Sequence, residues 1–441
     1  MKKTKTIFAL ILTALLALSL PVAALAQASD GYDIINPYDS VDWESWKCYK
    51  AQLHSHTRYS DGKMHISDVV EEYYRQGYDI LAITDHGVVN KGWNIKPDLV
   101  PISSYYQYIS LLKPLSEERY AQITSGSDRE GRPMLDVAKG IEMNGMVIQK
   151  NHVNGYFCGW GQGDYGIEND FETPVKNTHL SGGISVINHP GDFIKSSGDV
   201  SIASDIKNIR FFGDLFLKYE SCVGMEIFNR IDTVVRNDRI LWDNILQYTI
   251  PHGVNVWGFS NDDSHILSDI GLTAEYFMMP ELSNAALKTA MQEGTFFACS
   301  KIARNELGND FVGNGEYAQI ERITVNDEDD SISLNISSAS PYSVEWISNG
   351  EIIAVGDSIN LSEHRESISC YVRAQIKNEG GIVMTQAFIC DDGNLPSLIK
   401  PSAPEKQYTG IFGTIIELFR LIKNTKIFVL LTKAFEAIAK R

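Results

Sequence analysis

Short runs rich in apolar residues recur along the first 300 positions, at 48–53, 79–84, 135–141, 152–157, 184–188, 223–228 and 254–260. Their length and β-branched content suit buried strands. Between several of them the apolar period lengthens to that of a helix. In His65–Gly77, Ile66, Val69, Val70, Tyr73 and Tyr74 fall on one helical face, and Gly77 supplies the stop. Further helical patterns cover 103–122, 206–220, 237–252 and 283–293. Strands separated by helices predict parallel pairing, in a barrel or an open α/β sheet. The stretches 88–133 and 158–183 exceed ordinary connections and read as insertions shaping the mouth of a site.

Past residue 300 the pattern changes. Gly294–Ser300 reads as a closing strand and 301–317 as a linker. Short alternating runs then follow at 319–325, 331–336, 343–347, 352–355, 367–376 and 382–389, without a helical stretch among them. They predict a small all-β, sandwich-like domain over 316–395. In it Cys370 and Cys390 flank Lys377–Gly381, a loop suited to a hairpin. A register centred on Gly380 sets the two cysteines opposite each other, where a disulfide and two buried thiols are both open; a two-residue loop would instead set Cys370 beside Ile389 and exclude the bond.

The two ends differ from the body. Lys2, Lys3 and Lys5 precede the apolar run Ile7–Leu20, with Ala24-Leu25-Ala26 at the cleavage positions. Residues 1–26 therefore predict a signal peptide cut after Ala26, an α/β domain over 27–305, and a protein that is secreted or associated with the cell envelope. Residues 396–441 form a linker and an amphipathic helical tail, with Phe412, Ile415, Ile416, Phe419 and Ile422 on one arc. Over 405–441, seven Lys/Arg stand against three Glu, in a chain whose formal charge is −17. A basic amphipathic tail points either to membrane-surface or cell-envelope contact or to docking on its own protein.

Removing the three lysines of the signal segment takes the formal charge from −17 to −20. So acidic a chain disfavours gripping long nucleic acid, where phosphate contacts need Lys or Arg. Six cysteines (48, 158, 222, 299, 370 and 390) show no CxxC spacing, which argues against thiolate zinc sites. Oligomeric state leaves no mark in the pattern.

Candidate chemistry gathers at the strand ends. His54 and His56, one residue apart at the end of the first run, are followed by Asp61-Gly62; His86, Glu142, His189, Glu226, Asp263 and His265 lie at or near the ends of later runs, and His152 begins one. Six of the ten histidines occupy these places. Neutral imidazoles and carboxylates aimed from several strands at one spot are the donors a divalent metal takes. His65, His179, His252 and His364 lie outside every such motif and read as surface or packing residues.

The chain resembles the PHP (polymerase and histidinol phosphatase) domain family, through HSHTRYSDG at 54–62, TDHG at 84–87, GIE at 140–142, the His152 run, NHP at 188–190 and DSH at 263–265. The likeness spans about 49–300. It implies a distorted (β/α)7 barrel, and a ligand set of His54, His56, Asp61, His86, Glu142, His152, His189, Asp263 and His265 for two or three divalent ions, Mn, Zn or Fe. Asp61 stands where some relatives have His, which leaves the third metal open. Asp85 and Asp262 neighbour ligands and are expected to orient them.

The implied activity is hydrolysis of phosphoesters, small phosphate monoesters or nucleotides, with hydroxide supplied at a di- or trinuclear site. Asp263 or His189 would protonate the leaving oxygen. Arg58 and Arg230 are candidates to hold phosphate in two-point contact. Glu226 is a further substrate-side candidate, with a salt bridge to a nearby arginine as its other reading. Two rival readings stand beside this one: a metallohydrolase acting on a non-phosphate ester or an amide, and a non-catalytic envelope-binding protein with a vestigial metal site.

Overall fold

The computed structural model describes residues 31–98, 113–145, 150–164, 166, 170–393 and 395. The expected signal peptide, the amphipathic tail and residues 103–112 of the helix expected over 103–122 lie outside the described residues; within 113–122 a helix begins only at Glu117.

The first helix forms where its apolar spacing requires. In α1 (Ile66–Arg75) the residues Ile66, Val69, Val70, Tyr73 and Tyr74 are buried, while Glu71, Glu72 and Arg75 face outward. The other main helices are α2 (Glu117–Ser125), α3 (Glu172–Leu180), α4 (Ile206–Lys218), α5 (Asp238–Thr249) and α6 (Asn284–Glu293).

The strands of the α/β region fall into two groups. One is a five-stranded sheet of β5 (Ile141–Met143), β6 (Val153–Tyr156), β7 (Ile184–Ile187), β8 (Cys222–Asn229) and β9 (Trp257–Asn261), in that order. The other holds β2 (Lys47–Gln52), β3 (Ile80–Leu81) and β4 (Leu135–Asp136), in parallel. Two isolated parallel bridges, His86 to Glu142 and Ser55 to Ser264, join the groups. The result is a mixed α/β fold in which, among the described residues, no continuous ladder closes a barrel. Pairing also departs from the all-parallel expectation: β6 runs antiparallel to both neighbours. The connection from β5 is short, that to β7 is long and contains α3, and β6 reverses against both. Its start, where His152 lies, therefore sits at the same rim as the ends of β5 and β7.

The expected β-rich second domain is present as β12 (Gln319–Asn326), β13 (Ser331–Ser337), β14 (Ser343–Ser348), β15 (Glu351–Val355), β16 (Ser358–Asn360), β17 (Tyr371–Asn378), β18 (Gly381–Met384) and β19 (Phe388–Asp391). It does not stand apart. With β1 (Asp33–Ile35), β10 (Thr273–Met279) and β11 (Phe296–Ser300), one sheet runs β1-β19-β17-β18-β11-β10-β2-β3-β4, with β14 and β15 branching from β17.

The hairpin carrying the two cysteines has the shorter loop, since Asn378 pairs with Gly381. One extra residue between β18 and β19 then shifts the pairing to Tyr371 with Ile389, and the Cys390 amide donates to the Cys370 carbonyl at 2.9 Å. Cys370 and Cys390 thus do lie side by side, as two buried free thiols.

Candidate metal centre

The loop after β2 is folded tightly enough to return a carboxylate to its own histidines. A Cβ on Gly62 would come within 2.7 Å of the His56 carbonyl carbon, so only glycine allows the close approach. Asp85 holds the loop from outside, its oxygens accepting from the Thr57 amide at 2.8 Å, the Thr57 hydroxyl at 2.7 Å and the Ser60 hydroxyl at 2.6 Å. Asp262 does the same for the loop after β9, accepting from the amides of Gly271 and Thr273 at 2.7 and 2.8 Å. Both orient backbone that carries the cluster, without touching an imidazole themselves.

Glu142, fully buried, is the centre of the arrangement. One of its oxygens lies 3.3 Å from His54 Nε2, 3.1 Å from His56 Nε2 and 3.0 Å from His86 Nδ1. The other lies 3.1 Å from His152 Nδ1 and 3.5 Å from His189 Nε2, and accepts a bond of 2.7 Å from the Asn188 amide. Asp263 Oδ1 faces His54, His56 and His265 at 3.4, 3.1 and 3.6 Å. Asp61, more open to solvent, lies 3.3 Å from His265 Nε2, 3.6 Å from His86 Nε2 and 3.7 Å from His56 Nδ1. All nine residues of the expected ligand set meet here.

Donor atoms of seven of them form three overlapping groups: His54, His56 and Glu142; His86, Glu142 and His152; and His56, Asp61, His86 and His265. Two observations show that the set fits divalent metal. His54 Nε2 and His56 Nε2 approach to 3.0 Å while facing the same carboxylates. His86 Nδ1, Glu142 Oε2, His152 Nε2 and His189 Nδ1 are buried without hydrogen-bond partners in the protein. Buried polar groups are ordinarily paired, and donors of these types converging on one point suit a cation. His189 and Asp263 also hold left-handed backbone, with φ of 29° and 48°. Strain of this kind collects at functional sites.

Charges in the cluster support one another. Burial alone would keep the His54 ring neutral, but the carboxylates of Glu142, Glu226 and Asp263 raise its pKa well above the imidazole range. Burial would likewise raise Glu142, yet His54, His152 and His86 hold it well below the carboxylate range. At His152 burial wins, and the ring drops to about 4.

The substrate-side candidates separate. Arg230 reaches the cluster edge, its guanidinium 3.0 Å from His265 Nδ1 and 3.7 Å from Asp263 Oδ2. Arg58 instead donates to the Lys63 carbonyl at 2.9 Å and braces its own loop. Glu226 is 1% exposed and bonds His54 Nδ1 at 2.7 Å, and among the described residues no arginine pairs with it. Residue type at a strand end could not reveal this, because it does not say which way a carboxylate turns. His179, remote from the cluster, bonds the Ser221 hydroxyl at 3.1 Å.

A rim of six imidazoles and three carboxylates on a mixed α/β fold defines a metal-binding class of site. Residues 52–173 match the family model of the PHP domain. That match takes in His54, His56, Asp61, His86, Glu142 and His152; geometry adds His189, Asp263 and His265. No curated protein matches the chain. Among solved structures, it is similar to a two-domain protein from Bacteroides vulgatus containing a predicted PHP-like metal-dependent phosphoesterase, at 14% identity and TM-score 0.40, covering 81% of this chain and 90% of that one. It is also similar to PsfC from Pseudomonas syringae, at 13% identity and TM-score 0.32, covering 53% and 84%. A third similar structure is a lesion-specific endonuclease from Pyrococcus furiosus, at 12% identity and TM-score 0.33, covering 56% of each chain.

Proposed function

We propose that this protein is a metal-dependent phosphoesterase that hydrolyses small phosphate monoesters or nucleotides at a cluster of two or three divalent ions. The observation that carries the reading is the meeting of the nine expected ligands at one rim: seven fall into three groups that share His56, His86 and Glu142, while His189 lies against Glu142 and Asp263 against His54 and His56. Bound divalent ions would supply Lewis acidity, lowering the pKa of a water and offsetting charge that develops on phosphoryl oxygens. The protein's own residues do the rest. Arg230, partly exposed beside Asp263 and His265, is placed to take a phosphate oxygen through its guanidinium. Asp263 has Oδ1 crowded by three imidazoles, whereas His189 keeps Nδ1 without a partner. Of the two expected proton donors, His189 therefore has the atom to spare for the leaving oxygen.

The reading extends to location and partners. The lysine-then-apolar start supports export, and the −17 charge supports a compact phosphorylated substrate in preference to a gripped polymer. Purified protein with Mn²⁺ or Zn²⁺ should release phosphate from an aryl phosphate or a nucleoside monophosphate, and a chelator should stop it. Turnover of amide substrates with none across a broad phosphate panel would replace this reading with that of an amide hydrolase. Less than one metal per chain, in protein prepared without chelator, would favour the vestigial site.

A further inference from the structure

Glu226 belongs to none of the three ligand groups, yet it is buried at the rim beside them. It sits near the end of β8, a strand in which every residue is buried. Its two oxygens are divided. One bonds His54 Nδ1 at 2.7 Å; the other accepts from the backbone amide of His189 at 3.0 Å and from Asn229 Nδ2 at 3.0 Å.

We propose that Glu226 is the positioning residue that sets the His54 tautomer for metal binding and ties His54 to the His189 turn; this rests on the metal-centre reading above. An ionised carboxylate only accepts hydrogen bonds, so its contact with His54 requires the proton on Nδ1. In the neutral, metal-binding ring the lone pair then lies on Nε2, the atom 3.3 Å from Glu142 Oε2 and 3.4 Å from Asp263 Oδ1. A carboxylate behind a metal-bound imidazole fixes both tautomer and ring plane. The second oxygen fastens a backbone that needs support, since His189 holds φ 29°. One side chain thereby couples two ligands that lie 135 positions apart along the chain.

The amide isostere separates this role from simple packing. In Glu226→Gln, the side-chain oxygen can turn to His54, which leaves the amide NH₂ facing the donors of His189 and Asn229. Alternatively the NH₂ turns to His54, which demands a lone pair on Nδ1 and puts the proton on Nε2. Both arrangements oppose metal binding, although size and shape are kept.

The test is a titration of the full chain, stripped of metal, with Zn²⁺ against a chromophoric chelator. Glu226→Gln should bind the tightest ion 10–100-fold more weakly than the unaltered protein, the range typical of such outer partners. Asn229→Ala, which spares the His54 contact, should bind within a few-fold of normal. Equal affinity of Glu226→Gln and the unaltered protein would overturn the proposal. If Glu226→Gln fails to fold, imidazole ¹⁵N shifts of the metal-loaded unaltered protein decide the matter. The proton should reside on His54 Nδ1; a proton on Nε2 overturns the assignment. These readouts need no turnover, so metal binding without phosphate release would sink the phosphoesterase reading and leave this one intact.

Discussion

Two buried sets of charge in this protein are built oppositely. At the seam between α5 and β17, the Arg373 guanidinium bonds Asp243 at 2.8 Å through both Nε and a terminal nitrogen, and Tyr371 donates to the same carboxylate at 2.8 Å. The arginine also lies over the Trp242 ring, 5.2 Å from its centroid. Both oxygens of Asp243 are occupied, so the set is closed. Around Glu142, by contrast, lone pairs and ring nitrogens point at one another, and several are without partners. A buried carboxylate with its full complement of donors is cohesion, here fastening the second domain to the first. A buried carboxylate among imidazoles, several of whose ring nitrogens are without partners, is a receptor for a cation. Burial and charge look alike in the two places, and only the hydrogen-bond inventory separates them.

The largest effect that would break this contrast belongs to Glu142. Glu142→Ala should abolish metal content, read by elemental analysis, and phosphate release together, because two of the three ligand groups share that side chain. The apo protein should still melt cooperatively, since the apolar strands carry the core. Normal metal content in this variant would show that the cluster is misread.

Arg373→Ala should do the reverse. It leaves Asp243 buried without its cation, and urea denaturation should show a loss of about 3–5 kcal/mol. Metal content of the folded fraction should not change. A loss below about 1 kcal/mol would place the ion pair among those that contribute little.

Arg230→Ala sharpens the open side of the comparison. A KM for aryl phosphate raised roughly tenfold, near 1.4 kcal/mol, with normal metal content would mark a substrate contact. Arg58→Ala, which loses only a bond to the Lys63 carbonyl, should leave KM unchanged. An equal rise in both variants would reduce the effect to general surface charge.

A separate effect concerns Asp136, away from both sets. Burial lifts its carboxyl to about 7, against bonds from the Trp93 amide, Asn90 and Tyr120. An unfolded Asp titrates near 3.9. The folded chain therefore holds a proton that the unfolded chain has released, and stability should fall as pH rises from about 4 to about 7 and level off above. Asp136→Asn should flatten that slope in melting curves recorded across the window. An unaltered slope would assign the pH dependence to other groups.

Much of this is legible in the sequence. The period of α1 buried the residues it named, and the histidines and carboxylates at strand ends came together as a set. Such features survive reading because they are local: a helical face or a loop with Gly behind Asp depends on neighbours within a few positions. Strand direction was not local. His152 opens β6, and it joins the cluster only because that strand runs antiparallel to β5 and β7. The division into two domains was legible as a change of period, yet the ladder from β11 to β18 carries one sheet across both.

What the sequence determined by itself was the inventory: which residue types stand at which ends, and hence what chemistry they offer. What the tertiary structure decided was their partners. Glu142 closes the GIE stretch at 140–142 and Glu226 falls in no such motif, but residue type at a strand end does not say which way either carboxylate turns. Glu226 turns behind His54 with both oxygens satisfied, while Glu142 turns in among five imidazoles. Side-chain direction depends on the twist and register of strands far apart in sequence, and those are properties of the assembled sheets.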